Sequence, residues 1–285
     1  MARTPYFFRM HQGTGVAVRA LLNDLPFYRG DGQENQTVSG PANHLLVPGK
    51  NTFTLLLGDA PKPSFAPFLD GVVRFSLMLD EETESVVHHI AWPELWETPD
   101  VHGGSVMPTP PGPRDDGKVL ATPVLDRAMP LVHTSSFLID PRVAAPAYWD
   151  NRPEDFELHG TPEQHEAVRH VYRAFLSGKP DEFLAVNGLK LLERQRAYPD
   201  VPELSTSAQQ QRVKEQLSRQ WEVRPVDLDH FEDLVFERRA DGRVVYVTRR
   251  EGGFALEAVG KSDPSETFGT DLMMTRQDGM WRVFR

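Results

Sequence analysis

The groups in this chain that could do chemistry are ten histidines, 41 aspartates and glutamates, and its hydroxyls; cysteine is absent. Without cysteine there is no thiolate nucleophile, no disulfide framework, no iron–sulfur cluster and no cysteine-ligated zinc. Two histidines ligate one metal from a helix when they share a face, typically four residues apart, whereas His165 and His170 are five apart. His88 and His89 are adjacent on a predicted strand and so face opposite sides of a sheet. No metal site and no cofactor is expected. Gly13-Thr14-Gly15 lacks the lysine and the following helix of a phosphate loop. There is no Gly-x-Ser-x-Gly motif, and no catalytic residue set emerges from spacing.

Charge is more informative. The 31 basic residues leave a net charge of −10, which argues against a phosphate-backbone partner, because that needs a positive surface. Between Arg74 and Arg114 there is no lysine or arginine, while Asp80, Glu81, Glu82, Glu84, Glu94, Glu97 and Asp100 supply seven acids. Asp80-Glu81-Glu82-Thr83-Glu84 lacks the glycine and distal glutamate of a calcium loop. One reading is a solvated hairpin edge whose charge discourages edge pairing. The functional reading is a surface that steers a basic protein partner.

The elements that must position these groups fall into two grammars. At 285 residues the chain suggests about two domains. Proline is concentrated in residues 1–150, with 17 of 24, and there short alternating runs separate turn residues. Tyr6 to Met10 and Gly15 to Leu22 read as strands joined across Gln12-Gly13-Thr14-Gly15. Leu45 to Val47 and Thr52 to Leu57 flank the turn Pro48-Gly49-Lys50-Asn51. Further strands are expected near 73–79, 86–92, 119–124 and 131–139, so residues 1–140 are assigned to a β-sandwich. An apolar segment following Pro48-Gly49-Lys50-Asn51 resembles jelly-roll sandwiches of the carbohydrate-binding type, to which Trp92 and Trp96 would contribute. Pro108, Pro110, Pro111 and Pro113 favour an extended connecting loop.

Residues 141–160 read as a linker, and 161–285 as an α+β domain of three helices followed by an antiparallel meander. Thr161-Pro162-Glu163-Gln164 is a capping box with proline at the first helical position. It precedes the apolar stripe Val168, Val171, Tyr172 and Phe175. A second helix is expected from about Asp181 to Tyr198 and a third from about Ser207 to Glu222, the latter carrying Val213, Leu217 and Trp221 on one face. Hairpins are expected at Ala240-Asp241-Gly242 and Gln277-Asp278-Gly279, since Asp-Gly between apolar runs is a strong turn signal.

The first helix with Tyr172-Arg173-Ala174-Phe175, and the closing hairpin Gln277-Asp278-Gly279-Met280-Trp281-Arg282-Val283, resemble the nuclear transport factor two-like (SnoaL-like) superfamily over about residues 160–285. The resemblance implies a cone-shaped domain in which a curved sheet wraps the helices. Tyr172, Trp221, Tyr246 and Trp281 would then line an apolar pocket or fill a core. It also implies a choice of roles, among them lyases, isomerases, transport factors and toxin-neutralising proteins. Such enzymes place an aspartate or histidine inside the cone, for which Asp229, His230 and Asp271 are the available groups; no family dyad matches them residue by residue.

The expected function is therefore non-enzymatic protein binding, in one version an immunity protein that neutralises a bacterial toxin. The alternative is a small-molecule lyase or isomerase with its active site in the cone. The N-terminal residues lack the apolar run of a signal peptide, and no apolar stretch is long enough to span a membrane. A cytoplasmic location is the corresponding expectation.

Overall fold

A computed structural model describes residues 6–58, 72–79, 85–92, 106–107, 131–141, 143–153, 159–198, 202, 205–250 and 253–284. Among the described residues there are four antiparallel sheets and four α-helices. The chain divides into two compact units, Met1–Ala145 and Pro146–Arg285. No helix is long and apolar enough to cross a membrane among the described residues.

The N-terminal unit carries β1 (Phe7–Gln12), β2 (Val18–Leu22), β3 (Leu25–Gly30), β4 (Gln36–Pro41), β5 (Lys50–Leu57), β6 (Val73–Met78), β7 (Val86–Trp92), β8 (Val106–Met107) and β9 (Leu131–Leu138). They form two sheets, in the orders β4-β1-β6-β7 and β3-β2-β5-β9-β8. Alternation decides which side chains face inward. On β5, Asn51, Phe53, Leu55 and Leu57 are buried while Thr52, Thr54 and Leu56 are partly open. The sheets meet through these inward rows: the rings of Phe53 on β5 and Phe75 on β6 stack with centroids 4.1 Å apart.

The first two strands, joined across Gly13 to Ala17, do not pair with each other. β1 pairs with β4 and β6, whereas β2 pairs with β3 and β5, so Gly13 to Ala17 carry the chain from one sheet to the other. Gly13 N–H donates to Val72 O at 2.7 Å and Gly15 N–H to Gly32 O at 2.9 Å, which ties this crossing to neighbouring loops. The hairpin that does form uses Asn23-Asp24, both at positive φ (52° and 64°), as a two-residue turn between β2 and β3. Neither β3 nor β4 was read from the sequence, because Pro26 and Gly40 break their patterns. The expected strand Leu45 to Val47 is instead a 3-10 turn (Asn43–Leu45) running into the Pro48-Gly49 turn. Buried Asn51 closes that turn: its Nδ2 donates to Val47 O and Gly49 O, and its Oδ1 accepts from Val47 N–H. The strand expected at 119–124 and the proline-rich segment at 108–113 lie outside the described residues.

The C-terminal unit carries α1 (Pro162–Leu176), α2 (Pro180–Val186), α3 (Gly188–Ala197) and α4 (Thr206–Leu217). These are followed by β10 (Trp221–Val223), β11 (Leu234–Arg239), β12 (Val244–Arg249), β13 (Leu256–Gly260), β14 (Thr267–Thr270), β15 (Leu272–Gln277) and β16 (Met280–Val283). The capping box is present in both directions: Gln164 N–H donates to Thr161 Oγ1, and Thr161 N–H donates to Gln164 Oε1. The stripe Val168, Val171, Tyr172 and Phe175 is buried.

Three expectations are corrected here. The second helix is two, because Asn187 turns its side chain back to Phe183 O and Gly188 weakens helix continuity. The third helix ends at Leu217, four residues before Trp221. Trp221 is a strand residue opposite Gly260, and its indole N–H donates to Gln216 O at 2.9 Å, satisfying a carbonyl of the helix end. The strands form two sheets, β10-β13-β14 and β11-β12-β15-β16, so the chain leaves one for the other after β12 and returns at β15. The tight Asp-Gly turn before β16 has φ values of 51° and 78°, as a two-residue hairpin requires.

The stretch read as a linker at 141–160 contains the division at Ala145/Pro146, and residues just beyond it pack within the C-terminal unit. Tyr148 is fully buried with its ring 5.4 Å from that of Phe284. Asn151 Nδ2 donates to Thr275 Oγ1 and Arg276 O, and Arg243 Nε donates to Asn151 O. Proline and polar residues gave that stretch a loop's composition, while its aromatic and amide side chains dock it.

Candidate functional site

All seven acids proposed for a partner surface (Asp80, Glu81, Glu82, Glu84, Glu94, Glu97 and Asp100) lie outside the described residues, as does Trp96. Their immediate flanks are described. Leu79 N–H donates to Ser85 O at 2.8 Å, pinning together the chain ends that continue into β6 and β7. Four of the seven acids fall in the five positions between those two residues. Trp92, at the end of β7, belongs to the buried core of the N-terminal unit rather than to an exposed platform.

Of the four aromatic residues assigned to the pocket, three meet around one core. Tyr172 on α1 is 2% exposed and Trp281 on β16 is buried; both sit among Val168, Phe175, Phe236 and Leu256. Trp221 packs against the same cluster, its ring 6.0 Å from that of Phe268. The Tyr172 hydroxyl donates to Ala255 O, and burial pushes its pKa up to about 12, so the phenol is neutral across the ordinary pH range. Tyr246 goes elsewhere. On β12 it alternates with Val245 and Val247, which join that core, and its hydroxyl donates to Asp271 Oδ2 at 2.5 Å.

The acid–base candidates separate as well. His230 is exposed in the turn before β11, its Nδ1 2.8 Å from Asp227 Oδ2. The hydrogen bond with Asp227 raises the pKa of His230; the same bond and the backbone N–H groups of His230 and Asp229 hold the Asp227 carboxyl down at about 2. Asp227 therefore organises a surface turn, accepting from the backbone of Asp229 and His230. Asp271 stands at the entry to β15 with Tyr246 as its phenol donor. On α1, His165 stacks on Phe231 at 4.1 Å while His170 lies 3.3 Å from Glu166, so the two histidines have different neighbours. Among the described residues no three metal-ligating side chains converge on one point.

Sequence reasoning missed one polar cluster. His88 on β7 and His133 and Ser135 on β9 are all buried between the two sheets of the N-terminal unit. His88 Nε2 and Ser135 Oγ hydrogen-bond at 2.8 Å, and the His88 ring stacks on Phe137 at 4.7 Å. Its neighbour His89 faces the other way, 2.9 Å from Ser76 Oγ, as strand alternation demands. Burial is the main cause that lowers the pKa values of both His88 and His133 to about 4. The only available signal was His133, Ser135 and Phe137 at a spacing of two, and it does not say which strand lies opposite.

No known protein family, no curated protein and no solved structure matches this chain.

Proposed function

We propose that this chain is a non-enzymatic protein-binding protein that uses an acidic surface to capture a basic partner, in its most specific form an immunity protein neutralising a toxin in the cytoplasm. The observation that carries the reading is the stretch between Arg74 and Arg114, without lysine or arginine and with seven acids. The Leu79–Ser85 hydrogen bond supports it, because it holds close together the chain ends that flank four of those acids, beside the paired strands β6 and β7. In this reading the N-terminal unit is a jelly-roll-like β-sandwich and the C-terminal unit a cone of the nuclear transport factor two-like kind. Tyr172, Trp221 and Trp281 then serve as the cone's filling, which favours recognition through outer surfaces.

The test is affinity capture from the native host at low salt, identification of the partner, and reconstitution of the purified pair. A stoichiometric complex is expected, with association accelerated at low ionic strength. The triple reversal Glu81→Lys, Glu82→Lys, Glu84→Lys is expected to slow association at least tenfold and flatten its salt dependence. Failure to recover any stoichiometric partner overturns the binding reading, and unchanged kinetics in the triple variant removes these residues from it.

A further inference from the structure

We propose that His88 and His133 form an acid-sensitive seam between the two sheets of the N-terminal unit, closed while both rings are neutral and opened by proton uptake. The proposal is independent of the partner-binding reading. It rests on where the rings are held. His88 projects from β7 in one sheet; His133, Ser135 and Phe137 project inward from β9 in the other, alternating with exposed Val132, Thr134 and Leu138. Both histidines are at least nine-tenths buried.

The surroundings of His88 suit only a neutral ring. From β5 it meets Phe53, from β6 Phe75, and from β9 Phe137 and the Ser135 hydroxyl. Among the described residues the titratable groups that bear on it are His133 across the seam and His89 on its own strand, turned to the opposite face. Both would be cations or neutral, so neither offsets a charge on His88. Among the described residues no carboxylate bears on His88, so a proton taken up there creates a cation against aromatic rings, and a second on His133 adds like-charge repulsion. The direct hydrogen bond across the seam joins β7 to β9, so the strain falls on the two strands that carry the rings, which open as the contact between sheets is lost.

The direction follows from linkage. Both rings bind protons more weakly in the folded chain than when exposed, so the unfolded or opened form binds more protons between about pH 6.5 and 4. Stability of the seam is fully present above that window and is lost as pH falls through it. Opening at pH 5 is favoured over pH 7.5 by roughly thirtyfold for each histidine.

The experiment uses the full chain. Histidine ring resonances are followed by NMR from pH 7.5 to 3.5, and peptide-resolved hydrogen exchange, corrected for intrinsic rates, is compared at pH 7.5 and 5. Two ring midpoints well below 6.5, with β7 and β9 losing protection by about thirtyfold or more while α1 keeps its protection within threefold, is the expected result. His133→Leu and the double change His88→Phe with Ser135→Ala, which leaves no orphaned hydroxyl, should each reduce the loss. Midpoints near 6.5 for His88 and His133, or equal loss of protection in α1, would overturn the proposal. The wild-type titration decides the matter even where a variant fails to fold.

Discussion

Replacing Tyr172 tests whether the C-terminal unit has a filled core or a ligand cavity around this residue. The ring is 2% exposed on α1, and its hydroxyl donates to Ala255 O. Truncating a packed aromatic residue to alanine costs about 3–5 kcal/mol, since lost transfer energy and the residual cavity add. Tyr172→Phe keeps the ring and removes the donor, leaving a buried carbonyl unmatched at about 1–3 kcal/mol. For a unit of this size each kcal/mol lowers the melting temperature by roughly 3 °C, so Tyr172→Ala should fall by about 10 °C or more and Tyr172→Phe by about 3–9 °C. Thermal unfolding followed by far-ultraviolet circular dichroism, with tryptophan fluorescence as a second probe, separates the two units. Trp221 and Trp281 report the C-terminal core, and Trp92 the N-terminal one. A fall of under about 3 °C for Tyr172→Ala would refute the reasoning. It would mean that the ring borders open space, and a search for turnover dependent on Asp271 would then become the priority.

Thr161→Ala removes the hydroxyl that accepts from Gln164 N–H at the start of α1 and should destabilise the C-terminal unit by about 1 kcal/mol, read from its urea midpoint. Gly160 has φ +77°, and an added Cβ would lie 2.8 Å from the Phe236 ring, so Gly160→Ala should be more damaging than Thr161→Ala in the same assay. Asp227→Asn should bring the raised pKa of His230 down toward its ordinary value of 6.5, measured by NMR titration, with the fold unchanged because both groups lie at the surface. Since His230 gains its proton affinity from Asp227 in the folded turn, that pairing is present at acidic pH and is lost as pH rises through the raised pKa of His230.

The local features that were legible in the sequence are those whose cause is local. The capping box at Thr161–Gln164 and the stripe Val168, Val171, Tyr172 and Phe175 need only one turn of helix or one face to be recognised. The Asp278-Gly279 hairpin and the Pro48-Gly49 turn need only backbone conformations that few residues adopt. Strand β7, Val86–Trp92, was readable because its apolar run is uninterrupted by turn residues. Where a local signal competed with a distant partner, the sequence misled. Gln12-Gly13-Thr14-Gly15 has the composition of a hairpin loop, yet β1 and β2 find better partners in separate sheets. Trp221 continues a helical stripe, yet pairing with Gly260 draws it into a strand.

By itself, then, the sequence determined composition-level properties: the net charge of −10, the acids gathered between Arg74 and Arg114, the missing thiols, and which short segments prefer helix or turn. Only the tertiary structure decided which groups share a site. It carried Tyr246 to Asp271 and away from Tyr172, and it left His230 with Asp227 at the surface. It also brought His88 against Ser135, 47 positions along the chain. Periodicity specifies which way a side chain points from its own strand, but the strand it will face is chosen by the packing of whole sheets. That choice is a sum over many apolar contacts, and no single residue or spacing records it.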